Sequence, residues 1–305
     1  MAFETTTDEV IEGVDLSGKT AVITGATTGL GQETARTLAA AGAHVVVCGR
    51  TEEKCDAAMA TIRESVPGAS LESQTFDLGD LATVRTGADA LLARHDRIDL
   101  LINNAGVMFT PEGQTVDGFE TQFGTNHLGH FVLTNRLLPA VKAAAPSRIV
   151  NLSSAGHFTS DVIWDDPNFA TTEYDKFNAY GQSKTSNILF SVELDRRHGS
   201  DGVRANAVHP GMIMTELARH MGPDDLTELG ERAAKRSGPG LPEFKSLEQG
   251  AATSVWVAVA DEMTDVGGTY CEDASVSTPA PYALDGDAAA RLWAMSEELV
   301  GESFS

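Results

Sequence analysis

A tyrosine and a lysine stand four residues apart in the segment YGQSK, residues 180–184. On a helix, positions i and i+4 share one face, so the phenol and the ammonium would point into the same cleft. A positive charge about 4 Å from a phenolate stabilises it by about 4 kcal/mol at an effective dielectric near 20. Because one pKa unit corresponds to about 1.36 kcal/mol, this pairing would bring the phenol pKa from about 10 towards neutrality. Tyr180 and Lys184 are therefore candidates for general acid–base catalysis at physiological pH.

Two serines, Ser153 and Ser154, follow the apolar segment 148–152. If that segment is a strand of an open α/β sheet, both serines lie at its carboxyl edge, where ligands of such sheets bind. A hydroxyl group there could donate to a substrate carbonyl oxygen while the tyrosine delivers a proton. In the alternative interpretation the serines cap the next segment, which would occupy one hydroxyl and leave the other free.

A glycine-rich turn, residues 24–31, connects the first predicted strand to an alanine-rich helix. Its glycines let the backbone turn sharply and let a diphosphate approach the N–H groups at the start of the helix. A tight βα turn without a ligand is the alternative, but strand, turn and helix in this order favour a nucleotide site. The residues expected to contact the nucleotide here are Gly25, Thr27, Thr28, Gly29, Leu30 and Gly31.

Arg50 ends the second predicted strand, and the first acidic residue after it is Glu52. An NAD site places a carboxylate at the end of this strand to bind the ribose 2′-hydroxyl, whereas a guanidinium suits a 2′-phosphate. The sequence therefore favours NADP(H) as the cofactor, with NAD(H) possible. The alternative is that Arg50 is an ordinary solvated surface residue.

Two further loops follow predicted strands and are expected to face the nucleotide. Asp77, with Leu78, follows the third strand and is predicted to lie near the adenine; a loop acid or helix N-cap is the alternative. Asn104, Ala105 and Gly106 follow the fourth strand and would line the cofactor or form a purely structural turn.

Short β-branched segments alternate with longer helical patterns from residue 19 to about residue 271. Strands are predicted at 20–24, 44–48, 71–76, 98–102, 148–152, 203–208 and 268–271, several of them almost continuously apolar. Helices are predicted at 32–41, 80–94, 128–144 and 179–198, the last ending in a basic turn capped by Gly199. This alternation predicts one α/β domain, residues 1–305, with a Rossmann-type doubly wound parallel sheet of about seven strands and helices on both faces.

The charge balance excludes several partners. The 305 residues include 44 acidic and 22 basic ones, a formal net charge of −22. Phosphate backbones and anionic lipid surfaces repel such a polyanion, so neither nucleic acid nor membrane is an expected partner. Cys48, Cys55 and Cys271 have no paired or metal-ligand spacing, which indicates thiols in a reducing compartment. No export signal and no bilayer-length apolar run is visible, so a cytoplasmic location is expected.

No metal site is expected. His127 and His130 stand at i and i+3 of a predicted helix, but no third ligand suggests itself.

The motifs together resemble the short-chain dehydrogenase/reductase family. In order, they are TGxxxGxG at 24–31, NNAG at 103–106, the strand ending in paired serines, YxxxK at 180–184 and HPG at 209–211. The segments NHLGHF at 126–131, AVHPG at 207–211 and LWAMSEEL at 292–299 resemble the branch that holds retinol dehydrogenases and the WW-domain oxidoreductase. The resemblance covers about residues 16–300.

The resemblance implies roles for individual residues. Tyr180 would be the acid/base, Lys184 its partner and a ligand of the nicotinamide ribose, and Ser154 rather than Ser153 the donor to the substrate oxygen. Asn126 would hold a water in the proton relay behind the lysine. The segment Pro210-Gly211, with Ile213 and Thr215, would face the carboxamide and diphosphate.

The implied function is an NADP-dependent oxidoreductase that transfers a hydride between nicotinamide C4 and a carbonyl or alcohol carbon of a lipophilic substrate. A nucleotide-binding regulatory or interaction protein without turnover is the alternative. Since family members usually pair through the helices predicted at 128–144 and 179–198, a homodimer or homotetramer is expected.

One spacing departs from the family pattern, because 25 residues separate Ser154 from Tyr180, about twice the usual number. In this branch the extra loop borders the substrate, so 155–179 and 212–245 are expected to be substrate-bordering segments, between an N-terminal tail (1–15) and a C-terminal extension (272–305). Aromatic residues in the loop would form an apolar wall of the pocket or anchor the loop to the body: Phe158, Trp164, Phe169, Tyr174 and Phe177.

Overall fold

Eight strands form one sheet in the computed structural model, which describes residues 2–213, 216–222, 225, 227–228 and 244–304. The strands are β1 (Thr20–Thr24), β2 (His44–Gly49), β3 (Leu71–Thr75), β4 (Leu100–Asn103), β5 (Ser147–Leu152), β6 (Val203–Val208), β7 (Tyr270–Glu272) and β8 (Ser275–Ser277). Their order in the sheet is β3-β2-β1-β4-β5-β6-β7-β8, with β8 antiparallel to β7 and the other neighbours parallel. The predicted doubly wound parallel sheet is confirmed, and β8 extends it beyond the seven strands expected.

The central strands are apolar on both sides because two cores flank the sheet. Val22 and Val46 pack into one core, whereas Ile23 and Val47 pack into the other, and all four side chains are fully buried. Alternate residues of a strand point to opposite faces, so a continuous apolar run supplies both cores. The order of the chain reverses between β1 and β4, and this switch point is where a ligand cleft forms at the carboxyl ends of the strands.

The helices lie on both faces of the sheet. They are α1 (Thr7–Val10), α2 (Gly29–Ala40), α3 (Glu52–Ser65), α4 (Leu81–Leu92), α5 (Thr121–Phe123), α6 (Gly129–Ala143), α7 (Lys176–His198), α8 (Leu247–Val259) and α9 (Gly286–Val300). Aspartate side chains fix several starts: Asp80 accepts from the N–H groups of the first turn of α4, and Asp175 does so for α7. The cap at Asp175 explains why α7 begins three residues before the predicted start.

The end of α7 differs from the prediction. Gly199 follows His198 but keeps right-handed backbone angles (φ −59°), and the chain continues into a 3₁₀ turn at Gly199–Asp201. The left-handed residue that ends the turn is Gly202 (φ 80°), which has the conformation expected of a C-cap glycine.

The described residues of the predicted N-terminal tail (1–15) pack against the body of the fold. Thr7 donates a hydrogen bond to Glu33 Oε1 (2.6 Å), and Asp8 forms an ion pair with Arg36 of α2 (2.7 Å). Val10 and Leu16 are buried in the core beneath α2.

The C-terminal residues cover the outer side of α6 and α7. Trp293 of α9 packs edge-on against Phe131 (ring centres 5.1 Å apart) and lies beneath the guanidinium of Arg197 (4.2 Å). Glu302 accepts from Arg85 (2.5 Å) and Arg136 (2.8 Å), which ties the end of the chain to α4 and α6. Across the part of the chain that the structure describes, the helices are all too short or too polar to cross a lipid bilayer.

Candidate active site

A large cavity opens at the carboxyl ends of the central strands, with a volume of about 1660 Å³. Small-molecule sites usually enclose about 300–1,000 Å³, so this cavity has room for a dinucleotide together with a substrate. It brings together nearly every described residue proposed from the sequence: Gly25, Thr27, Thr28, Gly29, Leu30, Gly31, Arg50, Asp77, Leu78, Asn104, Ala105, Gly106, Ser154, Tyr180, Lys184, Pro210, Gly211 and Ile213. Asn126 lies behind the lining, and Thr215 falls outside the described residues.

The glycine-rich turn has the shape that a diphosphate site needs. Gly25 and Gly29 have positive φ angles (62° and 55°), and a Cβ atom on Gly31 would lie 2.4 Å from the carbonyl oxygen of Gly25. Thr28 is the N-cap of α2, but its side chain makes no capping hydrogen bond in the described structure. The first-turn N–H groups of α2 are therefore available to a bound anion.

Asn104 braces this turn as well as lining the cavity. Its amide donates to the carbonyl oxygens of Thr24 (2.8 Å) and Gly25 (3.3 Å), while the N–H of Ala105 donates to Thr24 Oγ1 (3.0 Å). The segment therefore holds the turn and forms part of the cavity wall, and its contact with a cofactor stays a prediction.

Arg50 is exposed at the end of β2 and lines the cavity. Among the residues that the structure describes, no carboxylate forms an ion pair with it. Lys54, in the first turn of α3, lines the same end of the cavity and adds a second cation that sequence reasoning missed. The sequence could have indicated this residue, because Lys54 stands four positions after Arg50 on a helix that begins just beyond the strand.

Asp77 and Leu78 line the cavity beyond β3. The Asp77 carboxylate accepts from the N–H of Gly79 (2.9 Å), so it also shapes its own loop. Leu78 is buried and packs closely on Gly129 at the start of α6.

Ser154 and Tyr180 meet at the centre of the cavity. Both side chains line it, Ser154 is near enough to lower the pKa of the Tyr180 phenol, and Tyr180 is only 3% exposed. Gly156 leaves room for the phenol, because a Cβ atom there would lie 2.7 Å from the ring. Ser154 also accepts from the N–H of Gly156 (3.0 Å) as a cap, and Ser153 donates to the carbonyl of Lys184 (2.8 Å). Ser154 therefore caps the next segment and also lies beside the phenol. Ser153 is not free, because its hydroxyl group bonds to the backbone of α7.

Lys184 lies on the same face of α7 as Tyr180, as the spacing predicts. Its Nζ donates to the carbonyl oxygen of Leu152 (3.0 Å) and lies 5.6 Å from the centre of the phenol ring. Burial lowers the pKa of Lys184 to about 8. Burial also raises the pKa of Tyr180 to about 12, although the hydrogen bond with Ser154 acts in the opposite direction. In the protein alone, desolvation therefore shifts both groups towards their neutral forms, the reverse of the fall in the phenol pKa that the Tyr180–Lys184 spacing predicts.

Asn126 lies within a short π-helix, Gly124–Leu128, between α5 and α6. Its amide oxygen accepts from Val107 N (2.8 Å), and its nitrogen donates to Val107 O and Ser183 Oγ (2.9 Å each), so both amide N–H groups are used. Such π-turns frequently occur at functional sites. The side chain therefore holds the loop after β4 against α7.

The two histidines after Asn126 have separate protein partners. His127 bonds Ser296 Oγ (2.8 Å), whereas His130 lies between the carbonyl of Asn126 (2.9 Å) and Thr24 Oγ1 (2.9 Å). Burial lowers the pKa of His130 to about 4, so its imidazole is neutral. A carbonyl only accepts, so Nδ1 carries the proton and Nε2 accepts from Thr24. His130 thereby links the glycine-rich turn to the π-helix, a role that sequence reasoning missed.

The long loop before α7 is mainly anchored rather than open to the cavity. Of its five aromatic residues, Phe158 lines the cavity, and the other four are not among the described lining residues. Trp164 stacks under Arg291 (4.4 Å), and Phe169 packs against Tyr174 (5.2 Å). Phe177 packs on Phe109 (4.5 Å), which in turn contacts the Tyr180 ring (5.2 Å).

The apolar wall of the cavity comes mostly from elsewhere. Besides Phe158, the described apolar residues that line it include Val107, Met108, Phe109, Leu217, Met221 and Phe244. The loop after β4 was expected to contact the cofactor only, so its part in this wall is a finding of the structure. Most of the segment 212–245 falls outside the described residues.

Comparison with known proteins agrees with this geometry. The family model for short chain dehydrogenases matches residues 19–226. Human retinol dehydrogenase 13 is 45% identical over 287 residues, which cover 94% of this chain and 86% of the relative. A crystal structure of an uncharacterized protein from Mycobacterium paratuberculosis superimposes with a TM-score of 0.78 and 34% identity, covering 99% of each chain. The RhlG/NADP active-site complex of Pseudomonas aeruginosa does so with a TM-score of 0.66 and 25% identity, over 88% of this chain and 98% of that one.

The matched region contains the glycine-rich turn, the serine pair and the YxxxK segment, and the identity to retinol dehydrogenase 13 extends over most of the chain. The chain is therefore a member of the short-chain dehydrogenase family, in its retinol dehydrogenase branch.

Proposed function

We propose that this protein is an NADP-dependent oxidoreductase acting between a lipophilic carbonyl compound and the corresponding alcohol. The observation that carries the proposal is the grouping of Ser154, Tyr180 and Lys184 on the lining of one cavity that also contains the glycine-rich turn. A protein that only bound the nucleotide would not need these three polar side chains together under an apolar wall.

The residues of the glycine-rich turn and α2 would hold the diphosphate, and Lys184 would hold the nicotinamide ribose. The bound nicotinamide would supply or accept a hydride at C4. Ser154 would donate to the substrate oxygen, and Tyr180 would deliver its proton to that oxygen. A phenol is protonated at neutral pH, and burial raises the pKa of Tyr180 further, to about 12, so the protein alone would hold the proton that carbonyl reduction needs.

The preference for NADP rests on charge. Arg50 and Lys54 stand at the end of β2, where a 2′-phosphate would lie, on a chain whose net charge is −22. A phosphate arriving at such a surface is repelled overall and needs local cations to bind. The NADP complex of the Pseudomonas aeruginosa relative supports the same cofactor.

We also propose a cytoplasmic location. Support comes from Cys48, Cys55 and Cys271, which are all buried as free thiols. A reducing compartment keeps thiols in this state.

The test is consumption of NADPH, followed at 340 nm, with a panel of aliphatic, aryl, steroid and retinoid carbonyl compounds. We expect turnover by the wild type and a loss of at least about 10²-fold in Tyr180→Phe, since the proton donor is removed. Tyr174→Phe is the matched control, because it removes a phenol that bonds Thr110 and does not line the cavity. NADPH binding without turnover on any carbonyl would instead indicate a regulatory nucleotide-binding protein.

A further inference from the structure

Two histidines and a glutamate meet at the edge of the sheet opposite the active site. His44 begins β2, Glu72 is the second residue of β3, and His95 follows the end of α4. The cavity opens at the carboxyl ends of the strands, whereas this cluster lies at their amino ends. None of the three residues belongs to the motifs of the short-chain dehydrogenase family, and the proposed hydride transfer does not use them.

The ligand atoms of the cluster face one another. Glu72 Oε1 lies 2.6 Å from His95 Nε2, and Glu72 Oε2 lies 3.6 Å from His44 Nε2. One nitrogen from each histidine and a carboxylate oxygen all lie within 4.8 Å of one another. In a tetrahedral zinc site with bonds of about 2.0–2.1 Å, ligand atoms are about 3.4 Å apart. Side-chain movements of about 1 Å would therefore close the three donors around one ion.

The backbone holds these donors in place. Strands β2 and β3 are hydrogen-bonded neighbours, and the N–H of His95 donates to Leu91 O at the end of α4 (2.9 Å). The other ring nitrogen of His44, Nδ1, bonds Ser70 Oγ (2.8 Å), which is the kind of outer contact that orients a metal-binding imidazole. The His95 side chain is 11% exposed, and those of His44 and Glu72 are about 30% exposed. The cluster is thus sheltered on one side and open to solvent on the other.

An arginine lies beside the carboxylate of the cluster. Arg94 Nε lies 3.4 Å from Glu72 Oε1, and its NH2 group donates to Gln74 (2.8 Å). This guanidinium is the one described cation in contact with the carboxylate, and it would oppose a metal ion by repulsion.

We propose that His44, Glu72 and His95 form a binding site for a divalent transition-metal ion, with zinc as the ion that fits best. Two imidazoles and a carboxylate are donors that zinc accepts in proteins, and the solvent side leaves a fourth position for water. Magnesium and calcium prefer sites made of oxygen atoms alone. The inference departs from the expectation of no metal site and is independent of the proposed oxidoreductase activity.

Such an ion would link β2, β3 and the end of α4. Since a ligand that binds only the folded state stabilises it, zinc should raise the melting temperature of the protein. Activity should not change, because the cluster and the reacting residues lie at opposite edges of the sheet.

The experiment is calorimetric titration of the chelator-treated, full-length protein with Zn²⁺, with Mg²⁺ as the comparison ion. We expect one equivalent of Zn²⁺ to bind, and His44→Ala and His95→Ala each to weaken binding by at least about tenfold. Ser70→Ala, which leaves all three ligands in place, should weaken binding less. Visible absorption of the Co²⁺-loaded protein should report tetrahedral coordination in the wild type and not in the double variant.

Arg94→Ala keeps the proposal testable if the histidine variants fold poorly. It retains every ligand and removes the repulsive charge, so Zn²⁺ should bind several-fold more tightly. Absence of saturable Zn²⁺ binding, binding that survives His44→Ala/His95→Ala, or weaker binding by Arg94→Ala would overturn the proposal. The cluster would then be an ion-pair network between strands and nothing more.

Discussion

Replacing Lys184 by methionine should abolish activity and stabilise the protein. The lysine is fully enclosed, with 4% of its surface exposed, and its ammonium contacts no carboxylate among the described residues. Methionine keeps the length and the apolar stem but removes the charge. The same substitution also removes the proposed ligand of the ribose and the cation beside Tyr180.

The size of the effect follows from the pKa. Burial lowers the pKa of Lys184 from its ordinary 10.5 to about 8. At about 1.36 kcal/mol for each pKa unit, holding the charge at pH 7 costs about 3 kcal/mol. The variant loses the hydrogen bond to Leu152 O, worth about 1 kcal/mol. That oxygen keeps a second donor, Asn187 Nδ2 (2.9 Å), so the net gain should be about 2 kcal/mol, or a few degrees in Tm.

The pH dependence has a definite sign. Between about pH 8 and pH 10.5 the lysine is protonated in the unfolded chain but increasingly neutral in the folded one. The unfolded state then binds more protons, so the Lys184 contribution makes the free energy of unfolding rise with pH. The gap between Lys184→Met and the wild type should be largest below pH 8 and should close towards pH 10.5.

Urea unfolding of both proteins, followed by tryptophan fluorescence from pH 6 to pH 10, measures this gap. Tyr180→Phe is the control: burial raises the pKa of Tyr180 to about 12, so its phenol is neutral in both states up to about pH 9. That variant should be inactive without the same pH-dependent gap. If Lys184→Met were less stable than the wild type by the same amount at every pH, the reasoning about a desolvated ammonium would be refuted.

Three further outcomes are expected. Arg50→Ala should raise the KM for NADPH about 10- to 100-fold with little effect on NADH, because one charge-assisted contact to the 2′-phosphate is lost; equal effects on both would contradict the assignment. Trp293→Ala should lower the free energy of unfolding by about 3–5 kcal/mol in urea titrations, because the ring is 2% exposed and packs against α6 and α7. A decrease of less than about 1 kcal/mol would contradict that packing. The predicted homodimer or homotetramer should sediment at two or four times 32.2 kDa, and a species of 32.2 kDa alone would contradict that prediction.

Much of the site could be predicted because its motifs are local. The glycine-rich turn and the YxxxK segment depend on spacings within one turn or one helix, and the sheet places both at the same edge. The alternation of apolar strands and helices predicted that sheet correctly. These features follow from backbone geometry, which a short stretch of sequence specifies.

Contacts between distant segments could not be predicted in this way. His130 bonds Thr24, 106 positions earlier in the chain, and no spacing rule connects them. The loop aromatics were equally ambiguous, since an aromatic residue packs against the body or a ligand by the same apolar surface. Within this loop, the carboxylate of Asp166 accepts hydrogen bonds from the N–H groups of Ala170, Thr171 and Thr172. These bonds hold this part of the loop in a fixed conformation.

The pKa of Tyr180 shows why motif and environment have to be considered together. The helical spacing correctly places an ammonium near the phenol, and in a partly solvated site that charge would favour the phenolate. Here the same enclosure that brings Lys184 to 5.6 Å from the ring removes water from both groups, and each shifts towards its neutral form. The pair alone therefore keeps the proton on the tyrosine. A phenolate at neutral pH would need a further positive charge in the cavity. Under the proposed function, alcohol oxidation should therefore depend on the charge of the cofactor more strongly than carbonyl reduction does.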